Sequence, residues 1–323
     1  MTTALMPSPP AGDDVIRVAS WNVEHNGIDR TGDDTRWHTA MGVLAEVKPH
    51  LLLRQELTGA HLNGSRTLWA EAGHLGGDGD IQYFPFLAPA TPESPNPTGV
   101  YADPRVFDVI AYYVHVTGMW HPVCNPVVRL KGTTTDLSIG SFHLCSHDPG
   151  KRASEANRLT TLGKPGMAAI IGGDTNSFAH TRIETAPLPD WSTIADRSYV
   201  AHRTIERDGR LVADTRPDEI LSGQYDGQPS VFRELGHYAA TVLRQQYSNP
   251  LAPTASLWRK DQGPMRRIDR LYATPQVAAA LLKLEVINTE DVRRASDHAL
   301  VLATFSLAKL RRALGWREAV LAA

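Results

Sequence analysis

Thiols are scarce in this chain, whose only cysteines are Cys124 and Cys145. Two cysteines with no C-x-x-C spacing build neither a disulfide framework nor a zinc or redox motif, and they read as small core residues. No stretch of roughly 18 apolar residues occurs, which excludes a membrane-spanning helix. A dominant charge is missing as well: 33 Lys and Arg stand against 35 Asp and Glu, a net charge of −2. There is thus no global basic field of the kind that grips long nucleic acid, although a local basic groove stays open. The first twelve residues carry three prolines, no Lys or Arg and no continuous apolar stretch, which argues against a secretory leader and sets cytoplasmic as the expected location.

Apolar material is plentiful. With 42% hydrophobic against 21% charged residues the chain can bury a sizeable core, so a mainly disordered protein is excluded. A length of 323 residues fits two domains or one large one. Buried strands are expected at 15–23, 50–55, 81–87, 109–116, 127–130, 136–145, 167–171, 267–273 and 299–306, from apolar or alternating runs that end in polar residues. Helical spacing marks 36–48, closed by Pro49, and 151–162, and a helix is expected at 275–282. Residues 1–14 read as a disordered tail, 15–306 as the domain, 181–263 as a variable region on the substrate side, and 307–323 as a C-terminal helix with Leu307, Leu310, Leu314 and Leu321 on one face.

Polar residues collect at the strand ends: Asn22 with Glu24, Glu56, His143, Asp174 with Asn176, and Asp297 with His298. Taken singly, each has a plain structural reading as an Asx-turn, a helix cap or a satisfied core histidine. Jointly they point elsewhere, because charged groups are rarely buried near strand ends without a partner or an ion. Asp269 is the most telling, since it sits among Ile268, Leu271 and Tyr272 and needs a nearby cation. His298 is one candidate, and a salt bridge to Arg267 or Arg270 is the alternative. Four carboxylates, two amides and two histidines together suit phosphate-ester hydrolysis. A hard divalent cation takes oxygen ligands, amides hold phosphate oxygens or water, and an imidazole backed by a buried carboxylate donates to the phosphorane.

The motifs SWNVE (20–24), RQE (54–56), FHL (142–144), GGDTN (172–176), RIDRLY (267–272) and SDH (296–298) resemble, in order, those of the endonuclease/exonuclease/phosphatase superfamily, and they span nearly the whole chain. The resemblance implies a four-layered α/β sandwich, two mostly antiparallel β-sheets packed face to face with helices outside. It implies Glu56 as the principal ligand of Mg²⁺ or Mn²⁺, with Asn22 beside it and Asp297 supporting that ion or a second one. Asp174 is then the residue that orients or deprotonates water, Asn176 the one that holds the phosphate or that water. His298, in a dyad with Asp269, and His143, from the opposite side, are to contact the scissile phosphate. Either Asp174 or His298 is left as the general base. Thr175 departs from the aromatic or apolar residue usual at its position, and no carboxylate partner for His143 is placed. Tyr101, Arg105 and Tyr112 are nominated on the substrate side, and Arg152 and Glu155 as helix-start and positioning residues.

The activity that follows is a metal-dependent phosphoesterase, with nuclease or phosphodiesterase action on DNA or RNA as the first expectation. A phosphatase or phosphodiesterase for a small soluble ester is the alternative, with no membrane insertion. A non-catalytic scaffold of the same fold stands further behind, because a carboxylate cluster without its cation repels itself.

Overall fold

The computed structural model describes residues 14–77, 81–181, 183–224, 229–259 and 263–316. One six-stranded sheet contains β1 (Val15–Asn22), β2 (Leu51–Gln55), β3 (Phe84–Leu87), β4 (Gly99–Ala102), β13 (Leu281–Ile287) and β14 (Leu300–Ser306), in the order β13-β14-β1-β2-β4-β3. The other contains β5 (Phe107–His115), β6 (Val123–Leu130), β7 (Leu137–His143), β8 (Ala168–Asp174), β11 (Arg233–Glu234) and β12 (Asp269–Ala273), in the order β11-β12-β8-β7-β6-β5. A separate hairpin pairs β9 (Thr204–Arg207) with β10 (Arg210–Ala213). Each large sheet holds one parallel pairing, β1 with β2 and β7 with β8, among antiparallel neighbours.

Helices α1 (Thr35–Val47), α2 (Arg66–Gly76) and α8 (Glu290–Ala295) cover the first sheet, and α3 (Pro149–Thr160) and α5 (Arg216–Ser222) cover the second. The remaining helices are α4 (Arg197–Arg203), α6 (Leu235–Thr241), α7 (Pro275–Ala278) and α9 (Leu307–Ala313). The result is the four-layered α/β sandwich. Alternate residues of one strand serve two interfaces: Leu51 and Leu53 face the opposite sheet, whereas Leu52 faces the helices. That double burial is why the strands read as continuous apolar runs in the sequence. Among the described residues no helix is long and apolar enough to cross a membrane.

Three expectations need correction. The helix expected at 275–282 stops after one turn, at Ala278, and the chain enters β13. Val277, Leu281 and Leu284 do sit at helical spacing and are buried, but the ladder of β14 offers hydrogen bonds to residues 281–287 that a helix would forgo. The region 181–263 is only in part an appendage. Its second half supplies β11 and α6, whose Leu235 and Ala239 enter the core between the sheets. At the C-terminus α9 buries Leu310 and Leu314 and ends before Gly315, which turns the chain at φ 72°. Residues 1–13 and 317–323, with Leu321, lie outside the described residues.

The RQE motif contributes a buried tie as well as a carboxylate. Arg54 Nε donates to Glu71 Oε1 at 2.7 Å, Nη1 to the Trp21 carbonyl at 3.0 Å and Nη2 to Asn26 Oδ1 at 3.1 Å, binding β2 to α2 and to the turn after β1. Arg54→Met is expected to lower unfolding free energy by about 3–5 kcal/mol, since it leaves the Glu71 carboxylate buried without its cation. Denaturant titration checks this, and a loss below about 1 kcal/mol would contradict the assignment of Arg54 as the tie.

Candidate active site

Strand direction and pleat bring the polar strand ends to one place. In β1, β2, β7 and β8 alternate apolar residues point between the sheets, and continuing that alternation aims Asn22, His143 and Asp174 into the gap at the C-terminal ends. β12 runs antiparallel to β8 and β14 antiparallel to β1, so their N-terminal ends, with Asp269 and His298, reach the same edge. Register does the rest: His143 lies opposite Asp174 across β7 and β8, and Asp174 lies opposite Asp269 across β8 and β12. Glu56 follows β2 in the left-handed region, φ 56°, and Asn176 follows β8 at φ 48°.

The resulting cleft has a volume of about 460 Å³ and is lined by Glu56, His143, Asp174, Asn176 and His298, among others. On one wall Glu56 Oε1 accepts from Asn22 Nδ2 at 3.2 Å and Oε2 from the His25 backbone N–H at 3.0 Å. Opposite, Asp174 Oδ1 accepts from the Asn176 N–H at 2.7 Å, and Oδ2 lies 3.6 Å from His143 Nε2. His298 Nδ1 and Asp269 Oδ2 are 2.8 Å apart, a buried dyad. The two arginines weighed as partners of Asp269 go elsewhere. Arg267 pairs with Glu184 and Glu234, and Arg270 donates to Thr175 Oγ1 at 2.7 Å and to the carbonyls of Ser177 and Arg267. Thr175 thus replaces an apolar contact with a hydroxyl that anchors Arg270.

Burial pushes the Glu56 and Asp174 carboxyls up, but facing imidazoles, His143 foremost, together with backbone N–H donors hold both below the usual carboxylate range. Asp269 goes the other way, raised by burial against the opposing pull of His298. His298 is penalised as a cation by burial, yet Asp269, Asp174 and Asp297 outweigh that and lift it to about 10. Among the described residues one group of His, Cys, Asp and Glu gathers tightly enough to suggest a metal site, Asp174, Asp269 and His298, with one donor atom of each within 4.8 Å of the others. A protonated His298 supplies one positive charge against the two carboxylates of that group. Asn22 Oδ1, Asp269 Oδ1 and both carboxylate oxygens of Asp297 are buried and make no hydrogen bond. Orphaned oxygens beside a carboxylate fit a hard divalent cation. Asp297 is 1% exposed and lies behind the cleft wall, as does Asp269.

Several cleft residues escaped the sequence reading. Arg203, from α4, donates through Nη1 to the Asn176 carbonyl at 3.0 Å and to Asn176 Oδ1 at 2.9 Å, and burial lowers its pKa to about 9. Tyr199 stands with its ring 5.9 Å from the guanidinium carbons of both Arg203 and Arg266. His121 stacks on His143 with ring centroids 4.3 Å apart and is hydrogen-bonded to Ser94 Oγ, and burial drives its pKa down to about 2. The carboxylate that faces His143 is Asp174, at Nε2, while His143 Nδ1 has no hydrogen-bond partner. None of these residues sits in a motif. A polar residue in an irregular loop gives no periodicity signal, although the His121 to His143 separation is large enough to require the fold.

The nominated substrate-side residues do not reach the cleft. Tyr101 is fully buried under α2 in the helix layer, Arg105 pairs with Asp103 at the opposite end of the molecule, and the Tyr112 hydroxyl donates to the Leu87 carbonyl at 2.6 Å. Pleat explains Tyr101: as a strand residue between inward-facing Val100 and Ala102 it must point the other way. Glu24 pairs with Arg36 and Arg259 and does not line the cleft. Arg152 and Glu155 do position a wall. Arg152 donates to the Cys145 carbonyl at 2.8 Å and pairs with Asp214, while Glu155 accepts from the N–H groups of Trp120 at 2.5 Å and Cys145 at 2.8 Å.

No protein-family model matches the chain. No curated protein matches its sequence. Solved structures do match in fold. The endonuclease/exonuclease/phosphatase from Bacteroides vulgatus superposes with a TM-score of 0.60 at 13% identity, over 91% of this chain and 99% of that one. D. rerio TDP2 in complex with a single-strand DNA product gives 0.57 at 16%, over 91% and 100%. The human Nocturnin catalytic domain with a bound sulfate anion gives 0.53 at 14%, over 90% and 94%. The chain has the endonuclease/exonuclease/phosphatase fold.

Proposed function

We propose that the chain is a divalent-metal-dependent phosphoesterase that hydrolyses phosphodiester bonds, with nucleic acid as the substrate class, through in-line attack of water on phosphorus. The observation that carries the proposal is the opposition, across one cleft, of the Asn22–Glu56 wall with its orphaned oxygens to the His143–Asp174 and Asp269–His298 pairs. The shared fold with TDP2, crystallised with single-strand DNA product, supports nucleic acid over a small ester.

Glu56, Asn22 and Asp297 would hold Mg²⁺ or Mn²⁺, which neutralises phosphoryl charge and steadies the leaving oxygen. Asp174 is the general base: its carboxyl is held ionised, and Oδ2 stays free of the Asn176 bond that occupies Oδ1. His298, whose pKa is lifted to about 10 by Asp269, Asp174 and Asp297, is assigned instead as the donor of an N–H to a phosphoryl oxygen. Asp269 fixes the ring through Nδ1 and stabilises the imidazolium. His143 contacts the phosphate from the other side. Asn176 Nδ2 donates to the Leu144 carbonyl at 3.0 Å and Oδ1 accepts from Arg203, so the amide is locked with one N–H left for phosphate.

Arg203→Met is expected to lower kcat about 10–100-fold with KM changed less, because the Asn176 amide loses its orientation and the cleft a cation. Steady-state kinetics check it; an unchanged kcat would remove Arg203 from the site. The proposal as a whole is tested by hydrolysis of single-stranded DNA, RNA, bis-p-nitrophenyl phosphate and p-nitrophenyl phosphate with Mg²⁺, Mn²⁺ or EDTA. Diester cleavage abolished by EDTA is the expected outcome. Turnover of monoesters alone would overturn it in favour of a phosphatase, and metal binding with no turnover on any substrate would support a scaffold.

A further inference from the structure

One cavity away from the cleft carries a marked excess of positive charge. It has a volume of about 510 Å³ and is lined by Arg17, Lys48, His50, Arg105, Lys131 and Arg311, with Asp103 as the one carboxylate among its lining residues. Arg17 opens β1, and Lys48 and His50 precede β2, whereas Asn22 and Glu56 stand at the other ends of the same two parallel strands. The cavity and the cleft are therefore separated by the length of the sandwich, roughly 15–20 Å of strand.

Among the described residues these charges are only in part balanced by carboxylates. Asp103 is 1% exposed and saturated by Arg105, which donates to it from Nε at 2.9 Å, from Nη2 at 2.7 Å and from its backbone N–H at 2.8 Å. Lys131 Nζ donates to the Pro104 carbonyl at 2.6 Å and lies 3.9 Å from Asp108. Arg17 Nε donates to the Lys48 carbonyl at 2.9 Å, and burial lowers the pKa of this guanidinium. Arg311 stacks over the Trp316 ring at 4.0 Å, and its Nε is buried without a hydrogen-bond partner. Among the described residues Arg17, Lys48 and Arg311 make no ion pair with a carboxylate.

We propose that this cavity is a second anion site, which binds an oligophosphate, two or more linked phosphate groups, through Arg17, Lys48 and Arg311. Three cations that line one cavity repel, and an anion of matching charge relieves that repulsion while engaging the planar guanidiniums of Arg17 and Arg311. A single phosphate offers too little charge to engage all three. The site is independent of the activity proposed for the cleft.

The test is isothermal titration calorimetry with inorganic tripolyphosphate in EDTA, against wild type, Lys48→Gln, Lys48→Gln/Arg311→Gln and His298→Ala. The expected outcome is one site per chain, weakened at least about tenfold in the double variant, in part by exposed Lys48→Gln alone, and retained in His298→Ala. Loss of binding on raising NaCl accompanies it. Absence of binding, equal affinity for orthophosphate, indifference to both Lys48 variants, or loss in His298→Ala would each overturn the proposal, the last by moving the anion into the cleft.

Discussion

Asp174→Asn is expected to abolish hydrolysis, with kcat reduced by about 10³-fold or more, while the fold persists. The substitution keeps an acceptor for the Asn176 N–H, 2.7 Å from Asp174 Oδ1, so the turn after β8 retains its geometry. What it removes is the proton acceptor, and general-base assistance is worth about 10²–10⁴-fold. It also forfeits the favourable interactions that hold the Asp174 carboxyl below the usual range, chiefly with His143 and His298, so unfolding free energy should fall modestly. Single-turnover kinetics with circular dichroism read both parts. Unchanged turnover would sink the assignment of the base, and a collapsed spectrum would show that Asp174 holds the strand ends together instead.

The second large effect lies in the Asp269–His298 dyad. His298→Ala is expected to reduce kcat by about 10²–10⁴-fold. Asp269→Asn should do nearly as much and, in addition, move the pH profile. With Asp269 in place the His298 pKa is raised to about 10, so wild-type activity should hold through neutral pH and fall only as pH approaches that value. Without the carboxylate, burial is left as the main influence on His298 and draws its pKa down, so the alkaline limb should shift to lower pH. The same shift has a sign in stability. A histidine whose folded pKa exceeds its unfolded value near 6.5 contributes stability that is complete below about pH 6.5 and disappears as pH rises through about 10. The stability difference between wild type and His298→Ala should shrink over that window. A difference flat from pH 6 to 10, or a profile of Asp269→Asn that superposes on wild type, would contradict the dyad.

The pairing of those two residues shows how far residue pattern alone reaches. A carboxylate between Ile268 and Leu271 demands a counter-charge, and that demand is legible because burial of a charge has few solutions. Which cation answers it was open between His298 and two adjacent arginines. The pleat turns Arg270 to the opposite face, where it meets Thr175, and Glu184 and Glu234 take Arg267. The same geometry withdrew Tyr101 from the cleft.

The short strands and helices of the outer layers were also hard to read. Residues 281–287 carry apolar spacing that suits a helix or a strand equally, and only the exposed edge of β14 selects the strand. Helix α2 and strand β4 lie in segments rich in turn residues, where local preference is weak and packing against α1 and β2 settles the conformation. Arg203 ends the short helix α4 and His121 lies in a loop, and their approach to Asn176 and His143 is a property of the assembled layers.

The sequence by itself determined most of the core strands and the polar residues at their ends, because runs buried on both faces and terminated by Asn, Asp, Glu or His place polar groups where only a partner or an ion satisfies them. Only the tertiary structure decided which of those side chains face one another, which arginines enter the cleft, and that a second cluster of cations forms at the far pole. Those outcomes depend on register, strand direction and the meeting of segments up to hundreds of residues apart, and no local pattern encodes a distance between residues that the chain brings together only when it folds.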